Sequence, residues 1–232
     1  MEIYAITLAK LTLIQITFVI VAAFIVAVAI FLAIFFPLRH AYLKKKFRFH
    51  YYKKIYQVAF NQDYYLINDF LFRIDDSTVM GIDHILFGDR YIYIINDYYY
   101  EGDLLGNSED KSLIFVNKKG KKLYTDNPFL ASEKIVSRLS MLTGIDSSLM
   151  IGVIMVNNSC KCFVKSDSKQ FYIVQRKYFK MLIKNVESRP VGRINPVQLD
   201  SAVKAIYRLN RRKKKWKLKR PLAVHKKYTL LI

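Results

Sequence analysis

The stretch GIDHILFGDRYIYIINDYYYEGDLLG, residues 81–106, is the most informative part of this chain. Its apolar and β-branched residues predict two strands, separated by the turn signal Gly88-Asp89. A carboxylate and an imidazole, Asp83 and His84, are neighbours in the first strand. The second strand ends in polar and aromatic residues, and a glycine-bounded turn is expected after it. The stretch therefore predicts sheet structure with an ionisable pair inside it.

The rest of the chain predicts one mixed α/β domain, large enough to bury a core. Strands are expected where β-branched and aromatic residues cluster, and helices where apolar residues recur at helical spacing. The predicted strands are Tyr64–Ile74 with a break near Asn68-Asp69, Thr78–Leu86, Tyr91–Ile95, Leu113–Val116, Lys121–Tyr124, Leu149–Val156, Phe163–Val164 and Phe171–Val174. The predicted helices are residues 45–62, a helix opened by Asn127-Pro128 and closed by Gly144, Tyr178–Asn185, and a helix opened by Asn195-Pro196.

Residues 11–38 contain no charged side chain and predict a transmembrane helix. About 20 apolar residues span the hydrocarbon core of a bilayer, so this run is long enough. A secretory signal has a shorter apolar region of about 7–15 residues and a small-residue cleavage site. A buried core helix is the alternative, but a helix of this length that is apolar on all sides favours a single membrane anchor.

The charges beside this segment predict its orientation. Arg39 and four further Lys or Arg residues, the last of them Arg48, follow it, whereas Lys10 precedes it. Positive residues are retained on the cytoplasmic side of a membrane. We therefore expect a cell-membrane protein with a short external N-terminus and a cytoplasmic C-terminal domain.

Cys160 and Cys162 form a Cys-x-Cys sequence, and alternation along a strand would place both on one face. No other Cys or His stands at a spacing typical of zinc ligands. Two reduced thiols in a cytosolic domain are the expected state.

The formal net charge of +20 is concentrated at the two ends of the domain. Residues 39–54 contain seven basic and no acidic residues, and residues 201–232 contain twelve and none. Residues 58–200 contain 18 basic and 17 acidic residues, a balance of +1. A protein that binds nucleic acid in a groove of its fold usually has a basic face within that fold. The near-neutral core argues against that class, and the basic ends need a separate explanation.

The C-terminal tail combines basic residues with one aromatic ring. Such a segment suits an anionic lipid surface, and it also suits nucleic-acid phosphates with a base stacked on the ring. A solvated, partly disordered tail without a ligand is the third interpretation. Since an anchor would hold the domain near the cytoplasmic leaflet, lipid headgroups are favoured over nucleic acid. The candidate residues are Arg211, Arg212, Lys213, Lys214, Lys215, Trp216, Lys217, Lys219 and Arg220.

The order of these elements resembles the nuclease-related domain (NERD) family over roughly residues 50–185. A helix is followed by the strands YYLINDFLF, GIDHILF and YIYII, a glycine-bounded turn and a helix opened by Asn-Pro; Gly81–His84 is the most specific piece. The resemblance implies a restriction-endonuclease-like α/β core, with a mixed sheet flanked by helices. Here it would be preceded by one transmembrane helix, an arrangement that this family often has in low-GC bacteria.

The resemblance also implies phosphodiester hydrolysis, in which carboxylates hold Mg²⁺ and a lysine stabilises the developing charge. Of the family's residues, this chain retains Asp83. Asn96 stands where a Glu is expected and Tyr98 where a Lys is expected. A Glu of the preceding helix would correspond to about Tyr52, and a Gln of the following helix to Ala131 or its neighbours. A divalent cation would then have a single anionic ligand, Asp83.

Relocated carboxylates could restore a site. Asp97 could be aimed at Asp83 by a bulge, although consecutive side chains of a strand point to opposite faces. Glu101 could enter from the turn that follows. No lysine lies nearby in the sequence, and the closest basic residue of that segment is Arg90. His84 is expected to form hydrogen bonds on the far face rather than to act as a base.

The sequence therefore predicts a single-pass membrane protein whose NERD-like domain is non-catalytic and serves as a binding or scaffold module. The alternative is a membrane-tethered, Mg²⁺-dependent nuclease acting on DNA or RNA with relocated ligands. No cofactor is expected unless this alternative holds. The predicted organisation is an external N-terminus (1–10), a transmembrane helix (11–38), a basic linker (39–49), the NERD-like domain (50–210) and a basic tail (211–232).

Overall fold

The computed structural model describes residues 2–73, 78–211 and 223–224, in two compact units, Met1–Lys46 and Phe47–Ile232. The first unit is one long helix, α1 (Glu2–Lys45). Its stretch Gln15–Arg39 has a mean hydropathy of 3.3 and is long and apolar enough to cross a membrane. The predicted apolar N-terminal helix is confirmed.

The second unit contains ten strands and four helices among the described residues. In chain order they are α2 (Phe47–Gln62), β1 (Tyr65–Arg73), β2 (Val79–Phe87), β3 (Ile92–Tyr98), β4 (Gly102–Asn107), β5 (Ser112–Asn117), β6 (Lys122–Asp126), α3 (Pro128–Thr143), β7 (Met150–Val156), β8 (Cys162–Lys165), β9 (Phe171–Gln175), α4 (Phe179–Glu187), α5 (Pro196–Leu209) and β10 (Ala223–Val224). Short 3₁₀ turns precede β7 and α4.

The larger sheet has six strands in the order β10-β1-β2-β3-β7-β9. The β1–β2 and β2–β3 pairs are antiparallel, and β7 is parallel to both β3 and β9. Every residue of β7 is buried, as expected for a continuous apolar run that is covered on both faces. This sheet is the mixed α/β core that the sequence predicted.

Helices cover both faces of the larger sheet. On one face, the aromatic and aliphatic residues of α2 and α4 pack against alternate residues of β3 and β7. On the other face, α3 and α5 pack against the remaining apolar residues of the same strands. The predicted fold class, a mixed sheet flanked by helices and preceded by an apolar helix, is confirmed.

The glycine-bounded segment after β3 is a strand, so its prediction as a turn was wrong. Gly102 opens β4, which pairs with β5 and β8 in a second, four-stranded sheet of order β6-β5-β4-β8. A Cβ on Gly102 would lie 2.0 Å from the carbonyl oxygen of Val116 on β5. Glycine is needed here because two backbones approach closely. The sequence alone does not show whether a glycine serves such an approach or a turn.

The predicted break at Asn68-Asp69 does not interrupt β1. Asp69 has a left-handed backbone with φ 54°, yet pairing with β2 continues on both sides of it. Asn68 lies directly opposite His84 in this register. The polar dipeptide therefore introduces an amide into the sheet instead of ending the strand.

The two Asn-Pro sequences begin helices, as predicted. Asn127 is buried; its side-chain oxygen accepts from the N–H of Phe129, and its amide donates to the carbonyls of Ser108 (2.9 Å) and Asp110 (2.6 Å). Asn195 is exposed, and its side chain accepts from the N–H of Val197. The first cap therefore also holds the β4–β5 turn, whereas the second caps its helix alone.

We expect Asn127→Ala to destabilise the domain more than Asn195→Ala. Losing a cap costs about 1 kcal/mol. Leaving the half-buried carbonyls of Ser108 and Asp110 without their donor adds to this cost in Asn127→Ala. Urea unfolding of residues 44–232, followed by circular dichroism, measures both free energies of unfolding. Equal losses in the two variants would contradict this account of Asn127.

Candidate functional site

The residues of interest lie where β2 and β3 separate. The ladder between these strands ends at the pair His84↔Ile95, and side chains take over the hydrogen bonding beyond it. The N–H of Asp83 donates to Oδ1 of Asn96 (3.3 Å), and the N–H of Asp97 donates to Oδ2 of Asp83 (2.9 Å). Asp83 and Asn96 thus each satisfy a backbone donor of the opposite strand.

His84 and Asp97 form a pair on the face of the sheet that α2 covers. The distance from His84 Nε2 to Asp97 Oδ2 is 3.1 Å, and both side chains are fully buried. The other ring nitrogen, Nδ1, lies 2.7 Å from Oδ1 of Asn68. The ring of Tyr52, from α2, stacks on the imidazole with centroids 6.3 Å apart. The imidazole is therefore held by an amide, a carboxylate and an aromatic ring.

Burial raises the pKa of the Asp97 carboxyl above its ordinary value. The neighbouring His84 and Arg48 oppose this change, whereas the carboxylate of Asp83 adds to it. Oδ1 of Asp97 is buried and has no hydrogen-bond partner in the described part of the chain. The carboxyl is thus enclosed by protein and has one direct polar partner, His84.

Asp83 is the more accessible carboxylate, with a side chain that is 20% exposed. Its Oδ1 lies 3.8 Å from Nη2 of Arg48, near the start of α2. Sequence reasoning assigned Arg48 to membrane topology and missed this contact. It also missed the role of Asn68, for which the signal was the polar dipeptide Asn68-Asp69 inside a strand rich in apolar residues.

The other predicted site residues have different surroundings. The carbonyl of Tyr98 accepts from the hydroxyl of Tyr51 (3.0 Å), and its ring stacks on Tyr100. Glu101 lies in the bend between β3 and β4, and Ala131 lies in the first turn of α3, both half-buried. The structure therefore brings together Asp83, His84, Asn96, Asp97 and Tyr52.

Arg211, just after α5, is exposed, and its N–H donates to the carbonyl of Leu71. The remaining tail candidates are outside the described residues: Arg212, Lys213, Lys214, Lys215, Trp216, Lys217, Lys219 and Arg220.

Cys160 and Cys162 are free thiols with sulfur atoms 3.8 Å apart, at the start of β8. Their mutual hydrogen bond raises the pKa of Cys160 and lowers the pKa of Cys162, and burial further raises that of Cys160. The two side chains are in contact, as the predicted alternation along a strand requires.

The residues at the end of the β2–β3 ladder do not fit a Mg²⁺ site. Magnesium ions require several oxygen ligands in near-octahedral geometry. Here the carboxylate of Asp97 is buried against His84, the amide oxygen of Asn96 accepts a backbone N–H, and Asp83 faces a guanidinium. Across residues 2–73, 78–211 and 223–224, no group of three His, Cys, Asp or Glu side chains could hold a metal ion.

Residues 44–157 match the family model of the nuclease-related domain, NERD. This segment belongs to the nuclease-related domain family. The NERD match extends from the residues before α2 to the end of β7. It therefore contains Asp83, His84, Asn96 and Asp97. The family predicted from Gly81–His84 and the order of elements is confirmed. No curated protein and no solved structure matches the chain.

We expect Asp97→Asn to change how the stability of the NERD domain depends on pH. Because burial raises the pKa of Asp97, the native state keeps this proton at a pH where the unfolded chain has lost it. As the pH rises above the ordinary value of 3.8, wild type should therefore lose stability relative to Asp97→Asn. The difference should level off once native Asp97 is also ionised.

Urea titrations of both proteins at a series of pH values starting near 3.8, the ordinary pKa, measure this difference. Asp126→Asn, which removes a carboxylate at an exposed position of β6, is the control. A wild type that gains stability over Asp97→Asn as the pH rises would contradict the assignment.

Proposed function

We propose that this protein is a membrane-anchored binding or scaffold module whose NERD domain does not hydrolyse phosphodiesters. The observation that carries the proposal is the buried Asp97–His84 pair, beside an amide at Asn96 where the family has a carboxylate. The side chains that would be needed for chemistry are instead used to complete hydrogen bonds inside the sheet.

A phosphate approaching Asp83 would meet one carboxylate and one guanidinium, that of Arg48. Metal-assisted hydrolysis needs a cation to polarise the phosphate and to activate a water molecule. The carboxyl of Asp97 is fully buried and bound to His84 through Oδ2, and turning it toward solvent would leave a buried imidazole without that partner. Leaving a buried polar group without its hydrogen-bond partner costs about 1–3 kcal/mol. This cost supports a non-catalytic domain over the competing function, a tethered nuclease.

We expect residues 44–232 to show no cleavage of DNA or RNA above background in Mg²⁺ or Mn²⁺. The measurement is gel analysis of labelled single- and double-stranded substrates, with Asp83→Ala as the matched control. Wild type and control are expected to leave the same fraction of each substrate uncleaved. Metal-dependent cleavage that Asp83→Ala abolishes would establish the nuclease function instead.

The proposal places the domain at the cytoplasmic face of the cell membrane. The apolar stretch Gln15–Arg39 supports the anchor. Basic and aromatic side chains follow within the same helical unit, where the ammonium of Lys46 lies 4.7 Å from the ring centroid of Tyr42. Such residues suit the headgroup region on the cytoplasmic side. The N-terminus would then be external.

We further propose that the basic tail binds anionic lipid headgroups. Each Lys or Arg near a membrane surface contributes about 1 kcal/mol. The near-neutral charge of residues 58–200 supports binding by the tail rather than by the folded core. Binding of the tail to nucleic acid is the competing interpretation, and the test below distinguishes the two.

We expect residues 44–232 to bind vesicles that contain phosphatidylserine and not to bind vesicles of phosphatidylcholine alone. Replacing Lys213, Lys214 and Lys215 by Gln should weaken binding by on the order of 100-fold, since three charges are lost. The control replaces Lys119, Lys121 and Lys122, at the β5–β6 turn, by Gln. Vesicle co-sedimentation at two salt concentrations measures both. Equal weakening by the two triple variants, or preferential binding to DNA, would refute the lipid assignment.

A further inference from the structure

A cavity of about 300 Å³ lies beside the turn between β2 and β3. Its walls are the last turns of α2, the exposed side of α4 and the turn residues Asp89 and Arg90. Gly88, at this turn, lies five residues along β2 from Asp83, which is roughly 16 Å at the rise of a strand. The cavity is therefore separate from the end of the β2–β3 ladder described above.

The lining of this cavity has an excess of positive charge. Four cationic side chains, Arg90, Lys180, Lys184 and Arg193, line it with two carboxylates, Asp89 and Glu187. None of the four cations forms an ion pair within 4.0 Å with a described residue. Because residues 58–200 as a whole are almost neutral, this excess of four cations over two carboxylates is a local concentration of positive charge.

Glu187 uses its carboxylate to hold the turn in place. Oε1 accepts from the hydroxyl of Tyr93 (2.8 Å), and Oε2 accepts from the backbone N–H of Arg90 (3.0 Å). A Cβ at Gly88 would lie 2.2 Å from Oε1, so the absence of a side chain there lets the carboxylate approach. The carboxylate thus positions the backbone of Arg90.

The cations lie around an apolar floor. Lys180 and Lys184 are one turn apart on α4 and therefore project from the same side of the helix. Val58 and Ile183, both buried, form the floor between α2 and α4. The amide side chain of Asn61, from the last turn of α2, adds a hydrogen-bonding group. An apolar floor with a few converging polar groups is typical of sites for small organic ligands.

An adjoining cavity extends the positive surface along α2. It is lined by Lys54, Gln57, Val58, Asn61 and Lys180, and its volume is about 380 Å³. Lys180 and Asn61 line both cavities, so one ligand can reach from the first to the second. The combined space suits a molecule with an organic part and more than one anionic group.

We propose that this cavity binds a small organic phosphate carrying at least two negative charges, with its organic part on the Val58–Ile183 floor. Guanidinium and ammonium groups donate charge-assisted hydrogen bonds to phosphate oxygens, and Arg90 and Arg193 can each donate two in parallel. Lys180 and Lys184 neutralise the phosphates from α4. This site goes beyond the proposed membrane function and does not depend on whether Asp83 supports hydrolysis.

The test uses the full chain in nanodiscs of zwitterionic lipid, which offer no competing anionic headgroup. Isothermal titration calorimetry at 50 mM and 150 mM salt measures binding of ADP and inorganic pyrophosphate, with adenosine as the uncharged comparison. We expect saturable binding of ADP and none of adenosine. Lys180→Gln with Lys184→Gln should weaken ADP binding at least tenfold, and Arg193→Gln should weaken it independently.

The matched control is Lys121→Gln with Lys122→Gln, which removes the same charge from an exposed strand and should leave ADP binding unchanged. Thermal unfolding of each variant shows that the fold is intact. Failure of both ADP and pyrophosphate to bind would overturn the proposal. Equal weakening by the two double variants would overturn it too, since binding would then reflect overall charge alone. Neither result would bear on nuclease activity, which is measured separately by cleavage.

Discussion

The pairing of β3 between antiparallel β2 and parallel β7 is the constraint on which the rest of the structure depends. Both β3 and β7 are buried almost throughout, so both faces of the sheet need a helical cover. The α2–α4 layer and the α3–α5 layer meet that need. Any polar side chain on these strands must find its partner inside the protein, because water is excluded there.

That constraint explains the chemistry at the end of the β2–β3 ladder. His84 and Asp97 are enclosed by the α2 layer, and they are stable there because each is a partner of the other. Asn96 is a neutral amide that accepts a backbone N–H without carrying charge into the sheet. The polar groups at this end of the hairpin therefore contribute to folding, and Asp83 alone keeps partial contact with solvent.

The opposite end of the same hairpin has a different character. There Glu187 connects the turn to α4 through Tyr93 and Arg90, and the surrounding cations form no ion pair within 4.0 Å among the described residues. One hairpin thus has a buried polar cluster at one end and, at the other, a cavity whose lining carries more cationic than anionic side chains. Charge that is left unpaired beside a cavity is the feature that points to a ligand.

The sequence alone determined the apolar helix, the Asn-Pro helix starts, the buried strand β7 and the family, because each depends on local composition or on the order of neighbouring segments. It did not determine β4, since Gly102 has the same appearance in a turn and in a close backbone contact. Only the tertiary structure decided the partners of His84 and of Glu187. These contacts join residues 13 to 97 positions apart. The register of strands and the packing of helices set such pairs, and no local pattern encodes them.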